Sequence, residues 1–173
     1  QPTTSQPTAN LNYMEVAKLT ASDAAGGDLF GRSVAIDGNT IVVGAHYENS
    51  RRGAAYVFRT TDGGANYLEV AKLTASDASS YDYFGYSVAI AGNTIVIGAS
   101  EYDTSRTGKA YVFRTSDGGA TYVELTKLTA ADAAVDDRFG HSVAIDGATI
   151  VVGAVRDDDG GSGSGSVYVF RTS

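Results

Sequence analysis

Hydrophobic residues along this chain fall in short runs broken by Gly, Asn, Asp and Ser, and the same succession of runs occurs three times. The clearest copy is the middle one. Its apolar or alternating runs span 67–73, 87–90, 94–99 and 109–114, and they are rich in Val, Ile, Tyr and Thr. Such composition and length predict β-strands. The run Thr94-Ile95-Val96-Ile97 is nearly all apolar, so it predicts a strand covered on both faces. Asp37-Gly38-Asn39, Ala91-Gly92-Asn93 and Asp146-Gly147-Ala148 predict tight turns, as do Asp62-Gly63-Gly64 and Asp117-Gly118-Gly119. The segment Lys-Leu-Thr-Ala-Ser-Asp-Ala has a polar residue before Ala, as helix starts do. Its apolar spacing does not continue at helical period, and no helix is predicted.

Phe30-Gly31, Phe84-Gly85 and Phe139-Gly140 lie 54 and 55 residues apart (84 − 30 and 139 − 84). The copies begin near 12, 66 and 121, after a Pro/Thr/Ser-rich tail over 1–11. Four short strands in a repeat of that length match the spacing of β-propeller blades. The predicted fold is therefore all-β, with three four-stranded antiparallel blades over 12–173.

The repeated text is Phe-Gly-x-Ser-Val-Ala, then Thr-Ile-Val-Val-Gly-Ala or a close variant, then Tyr-Val-Phe. It resembles the FG-GAP repeats of integrin alpha-subunit propellers and their extracellular relatives. The resemblance covers almost everything after Asn10. It implies that the Phe-Gly run begins the innermost strand and that the Glu-Val-Ala-Lys-Leu run is outermost. The chain then starts with an outer strand at 13–19 and finishes on a third strand over 167–171. Three blades are too few to close, since closed propellers have about four to eight. The expectation is that 13–19 completes the last blade of another copy, with Tyr13, Val16, Leu19, Val167 and Val169 on the assembling strands. Two chains would form a closed ring of six blades. A rotation that does not close would give a head-to-tail filament. Alternatively, the chain is a segment of a longer propeller.

Two departures from the family bear on chemistry. His46, Ser100 and Val155 replace the Pro that ends the family's Gly-Ala-Pro. The family's Asp-x-Asp-x-Asp-Gly calcium loop is missing, and the turns in its place are too short to wrap an ion that takes 6–8 oxygens. No cofactor is expected, and calcium has no integrin-type loop to bind it. Each loop before Phe-Gly carries two acids in register: Asp23 with Asp28, Asp77 with Asp82, and Asp132 with Asp137. They could share a hard cation, or the first could make an Asx turn while the second caps the bend. Recurrence in every copy favours the structural reading. Asp157-Asp158-Asp159-Gly160-Gly161 has the look of a metal loop, but a Ser/Gly linker run follows it.

Variation on the repeated frame points to a binding face. The residue after Phe-Gly is Arg32, Tyr86 or His141, and the loops after Gly-Ala carry Tyr47, Tyr102 and Arg156. These six are the candidate ligand contacts, for an extracellular protein or a glycan. The chain has two His, no Cys, no Gly-x-Ser-x-Gly and no P-loop, so no catalytic residue is assigned. A hydrolase using the Asp clusters and a metal is the weakest alternative; a lectin-like propeller is the stronger one.

Composition narrows the partners. A net charge of −7 argues against nucleic acid and anionic membrane surfaces. No apolar run reaches the roughly 18 residues that a membrane-spanning helix needs. The absence of Cys rules out a disulfide framework in the 173 residues. The chain opens on Gln with no charged-then-apolar leader, as expected of a processed or excised chain. The Thr and Ser of its tail offer hydroxyls for O-linked sugar, and there is no Asn-x-Ser/Thr sequon. The expected location is extracellular or at the cell surface.

Overall fold

Residues 12–100 and 106–172 are described by a computed structural model; the predicted tail over 1–11 lies outside them. They form three antiparallel sheets. The first contains β1 (Ser33–Asp37), β2 (Thr40–Ala45), β3 (Ala54–Arg59) and β4 (Leu68–Leu73), in that order. The second contains β5 (Phe84–Ala91), β6 (Thr94–Ala99), β7 (Lys109–Arg114) and β8 (Val123–Leu128). The third contains only β9 (Phe139–Asp146), β10 (Thr149–Ala154) and β11 (Ser166–Arg171). First strands of successive sheets adjoin, β1 with β5 and β5 with β9, so the sheets stack as propeller blades do.

Strand order follows from turn chemistry. Gly38, Gly92 and Gly147, each with φ between 53° and 55°, turn the first strand of each blade into the second. A β-branched or aromatic residue could not take that conformation without strain. Between β3 and β4, Thr60 Oγ1 accepts the amide of Gly64, and Asp62 accepts the amide of Asn66 and the Thr60 hydroxyl. Thr115 and Asp117 repeat this before β8.

The core lies between blades. Val42, Ala55 and Val57 of the first blade pack with Phe84, Val88, Ile95 and Ile97 of the second. Val96, Ala110 and Val112 then meet Phe139, Ile150 and Val152 of the third. The two-sided burial expected of 94–97 is present, with Ile95, Val96 and Ile97 inaccessible to solvent. Backbones approach very closely at these junctions. A Cβ on Gly44 would sit 2.0 Å from the Gly85 carbonyl oxygen, and one on Gly98 would sit 2.0 Å from that of Gly140. No side chain fits there.

Several expected boundaries shift. The first strand of the second blade was expected over 87–90 but runs from Phe84 to Ala91. Phe84 pairs in parallel with Gly53 of the preceding blade, and Phe139 pairs likewise with Gly108. Phe30 has no such neighbour among the described residues, and β1 starts only at Ser33. The outer strand begins at Leu68 rather than Tyr67. No helix was expected, and the link between β2 and β3 over 48–51 is a left-handed turn, with positive φ at Asn49, Ser50 and Arg51. Residues 12–20 form no strand, and Tyr13, Met14 and Val16 are exposed.

Phe84 is fully buried between two blades. Phe84→Ala is expected to lower the unfolding free energy by about 3–5 kcal/mol, read from urea denaturation followed by far-UV circular dichroism.

Candidate functional site

Two groups of chemistry-bearing residues stand out, one on the loops next to the first strands and one beneath the outer strands.

The first group starts from the residue after each Phe-Gly pair. The Arg32 guanidinium lies 4.3 Å from the Tyr86 ring centre, and Tyr86 lies 5.0 Å from His141. Equivalent positions of three successive blades therefore stack in a row. His46 meets Tyr86 edge-on at 5.4 Å and Tyr47 at 4.6 Å. Tyr83 packs against both Tyr47 and His46. Arg51 lies over Tyr47 and Tyr81, at 5.1 Å and 5.2 Å. Such contacts add attraction beyond apolar burial. Of the six predicted contacts, Arg32, Tyr86, His141 and Tyr47 come together here. Arg156 instead pairs with Asp136 at 2.7 Å, and Tyr102 lies outside the described residues.

Tyr81 and Tyr83 belong to this array, although sequence reasoning did not select them. The available signal was their place in the repeat, where Gly27 and Leu29 stand in the first copy and Asp136 and Arg138 in the third. Leu29, Tyr83 and Arg138 all have positive φ, at 56°, 56° and 58°. Each carbonyl accepts the amide three residues on, that of Arg32, Tyr86 or His141. Because all three blades share it, this strain belongs to the Phe-Gly bend rather than to a site in one blade.

Both histidines are neutral fixtures of the array. Burial, reinforced by the nearby Arg32 charge, pushes His46 down to about 4. Burial and the charges of Arg32 and Arg138 also lower His141. Among the described residues, neither Nδ1 has a hydrogen-bond partner.

The second group contains the acidic pairs. Asp23 accepts the Tyr56 hydroxyl at 2.7 Å and Lys72 Nζ at 2.5 Å. Asp77 accepts the Tyr111 hydroxyl at 2.7 Å and Lys127 Nζ at 2.9 Å. The tyrosines come from the third strands and the lysines from the outer strands, so each carboxylate ties its loop to two strands. Burial opposes ionisation of Asp77, but those two donors and the Lys109 charge outweigh it and hold the carboxyl at about 2. The Tyr168 hydroxyl lies 2.9 Å from Asp132 and 2.6 Å from Asp157, two carboxylates that share its one proton. Among the described residues, the sheet beside it has no outer strand.

The second acid of each pair closes its own turn. Asp28, Asp82 and Asp137 accept the amides of Ala25, Ser79 and Ala134 at 2.7, 2.7 and 2.6 Å. Asp82, fully buried, also pairs with Arg106. The Asp157 loop folds onto itself too. Asp157 accepts the Tyr168 and Ser166 hydroxyls and the Asp159 amide, and Asp158 accepts the Gly163 amide. Among the described residues, no three His, Asp or Glu side chains are grouped to hold a metal ion.

The buried histidines predict a pH dependence. Between pH 6.5 and about 4 the unfolded chain binds a proton that folded His46 does not. Stability therefore falls as pH drops through that window. His46→Ser, which installs the residue found at the matching position of the second blade, is expected to flatten the slope. Urea unfolding at pH 7 and pH 4.5 measures the change.

Comparison with curated proteins gives no match. Among the described residues, no helix is long and apolar enough to cross a membrane. The family model of the FG-GAP repeat matches residues 13–58, 67–113 and 116–170, one segment for each copy. With most of its length matched and its strands ordered as propeller blades, the chain belongs to the FG-GAP repeat family.

Proposed function

We propose that this chain is a non-enzymatic extracellular structural or adhesive module that associates with its own copies by completing blades. Repeats of this family are commonly extracellular. One observation carries the reading. The third sheet has three strands where the others have four, while the unpaired segment Met-Glu-Val-Ala-Lys-Leu (14–19) nearly repeats the Leu-Glu-Val-Ala-Lys-Leu of β4.

Matched positions support it. Val57 and Val112 are 0% and 6% exposed, whereas Val169 at the same place in the third blade is 63% exposed. On the opposite face, Val88 is 8% exposed and its first-blade counterpart Val34 is 67% exposed. Internal junctions use a hydroxyl-to-carbonyl bond, Ser33 to Gly85 at 2.9 Å and Ser87 to Gly140 at 2.8 Å. Ser142 and the Gly31 carbonyl are the corresponding pair at the two outer faces. A Cβ on Gly153 would meet only Ser142 of its own blade, where one on Gly44 or Gly98 would also meet the backbone of the next blade. The two faces are unlike and complementary, as a head-to-tail contact requires. Open apolar faces and an unpaired edge also favour association.

Light scattering on the 173-residue chain at micromolar concentration should give twice the 17.9 kDa chain mass, or more for a filament. Deleting residues 12–19 should return the mass to that of one chain. A wild-type chain that stays monomeric overturns the reading.

A second reading is ligand binding on the variable-loop face, by a protein or a glycan. The observation in its favour is Tyr81, 48% exposed and backed by Tyr83 and Arg51. A glycan array and an extracellular-protein array should yield hits that Tyr81→Ala and Arg51→Ala abolish. Hits that both variants retain would exclude this face.

A further inference from the structure

We infer that a second copy docks in one fixed register, in which its 14–19 segment becomes the missing outer strand and its Lys18 closes the Asp132–Tyr168 site. This rests on the blade-completion reading and adds its atomic pairing.

The register comes from the two complete blades, which agree position by position. In the first, Ala55, Tyr56, Val57, Phe58 and Arg59 face Leu73, Lys72, Ala71, Glu69 and Leu68, with a bulge between Val57 and Phe58. In the second, Ala110, Tyr111, Val112, Phe113 and Arg114 face Leu128, Lys127, Thr126, Glu124 and Val123, with the bulge at the same place. Transferred to β11, Val169 faces the second copy's Ala17, Tyr168 faces its Lys18, and Phe170 faces its Glu15. Its Val16 falls at the bulge. A slip of one residue would turn every side chain to the wrong face.

Two polar contacts fix this register. A carboxylate, a tyrosine hydroxyl and an outer-strand lysine meet at Asp23, Tyr56 and Lys72, and again at Asp77, Tyr111 and Lys127. In the third blade the carboxylate and the hydroxyl are in place, the Tyr168 hydroxyl lying 2.9 Å from Asp132 and 2.6 Å from Asp157, and the lysine position belongs to the absent strand. The neighbourhood carries excess negative charge, and Asp157 and Asp132 raise the Asp159 carboxyl above its usual range. An ammonium arriving there gains two acceptors. The second contact uses the outer-strand glutamate. Glu69 accepts the amide and hydroxyl of Ser22, each at 2.8 Å, and Glu124 does the same with Ser76. The matching residue in the third copy is Ala131, whose amide is the donor left for Glu15 of the second copy.

The occupant is thus a second copy of this chain, and its sequence carries both charged groups at the required spacing. The chain has no Cys, so introduced pairs report cleanly. Ala17→Cys with Val169→Cys should form a disulfide-linked dimer under mild oxidation, because directly opposed strand residues lie within disulfide reach. The shifted pairs Val16→Cys with Val169→Cys, and Leu19→Cys with Val169→Cys, should link poorly. Lys18→Glu should weaken self-association by roughly 3–10-fold, as expected for a partly exposed ion pair. Adding Asp132→Lys should restore it. Equal cross-linking through a shifted pair, a disulfide closed within one chain, or a Lys18→Glu chain that associates like wild type would each overturn this inference while association itself stood. A wild-type chain that does not associate would overturn both.

Discussion

The structure depends on how closely one blade can approach the next. Phe84 pairs with Gly53 and Phe139 with Gly108, so the Phe-Gly runs of the second and third blades are bonded to the backbone of the blade before them. Bare glycine stands opposite on both sides: Gly44 against Gly85, and Gly98 against Gly140. The phenyl ring then fills the space between sheets, meeting a tyrosine and a phenylalanine of its own third strand edge-on. Much of the apolar burial follows, because each sheet covers the next rather than folding over itself.

The same rule leaves terminal surfaces uncovered. A blade buries its leading face against its predecessor and its trailing face against its successor. Among the described residues, Val34 and Ile36 are exposed on the leading face of the first blade and Val167 and Val169 on the trailing face of the third. The carboxylate sites are a second layer of this design. Asp23 and Asp77 tie a loop, a third strand and an outer strand together through a phenol and an ammonium. Their repetition and complete donor sets give them a structural role in both full blades.

Much of this was legible in the residues. The repeat, the strand positions over 94–99 and 109–114, and the glycine turns were readable because each depends on local chemistry: β-branched runs, Asp-Gly and Gly-Gly turns, and a fixed period. The start of β5 was not, because Phe84 pairs with Ala99 across a bulge and also bridges to Gly53 of the preceding blade. The left-handed turn at 48–51 was not legible because its positive φ values fall on Asn, Ser and Arg rather than on glycine. The array on the loop face was partly legible. Variation pointed to Arg32, Tyr86, His141 and Tyr47, but the contributions of Tyr81 and Tyr83 required knowing which way the bend turns.

The sequence by itself determined the blade: four strands, their order, the Phe-Gly junction and the family. The four strands follow from periodicities and turn residues that act over a few positions, while their order is what the resemblance to the FG-GAP repeats implied. Only the tertiary structure decided which groups meet. It set Arg32 over Tyr86, gave Asp23 its Tyr56 and Lys72 partners, and diverted Arg156 to Asp136. Those pairings join positions up to 54 residues apart, and the distance between them is set by how blades stack rather than by any local preference of the chain.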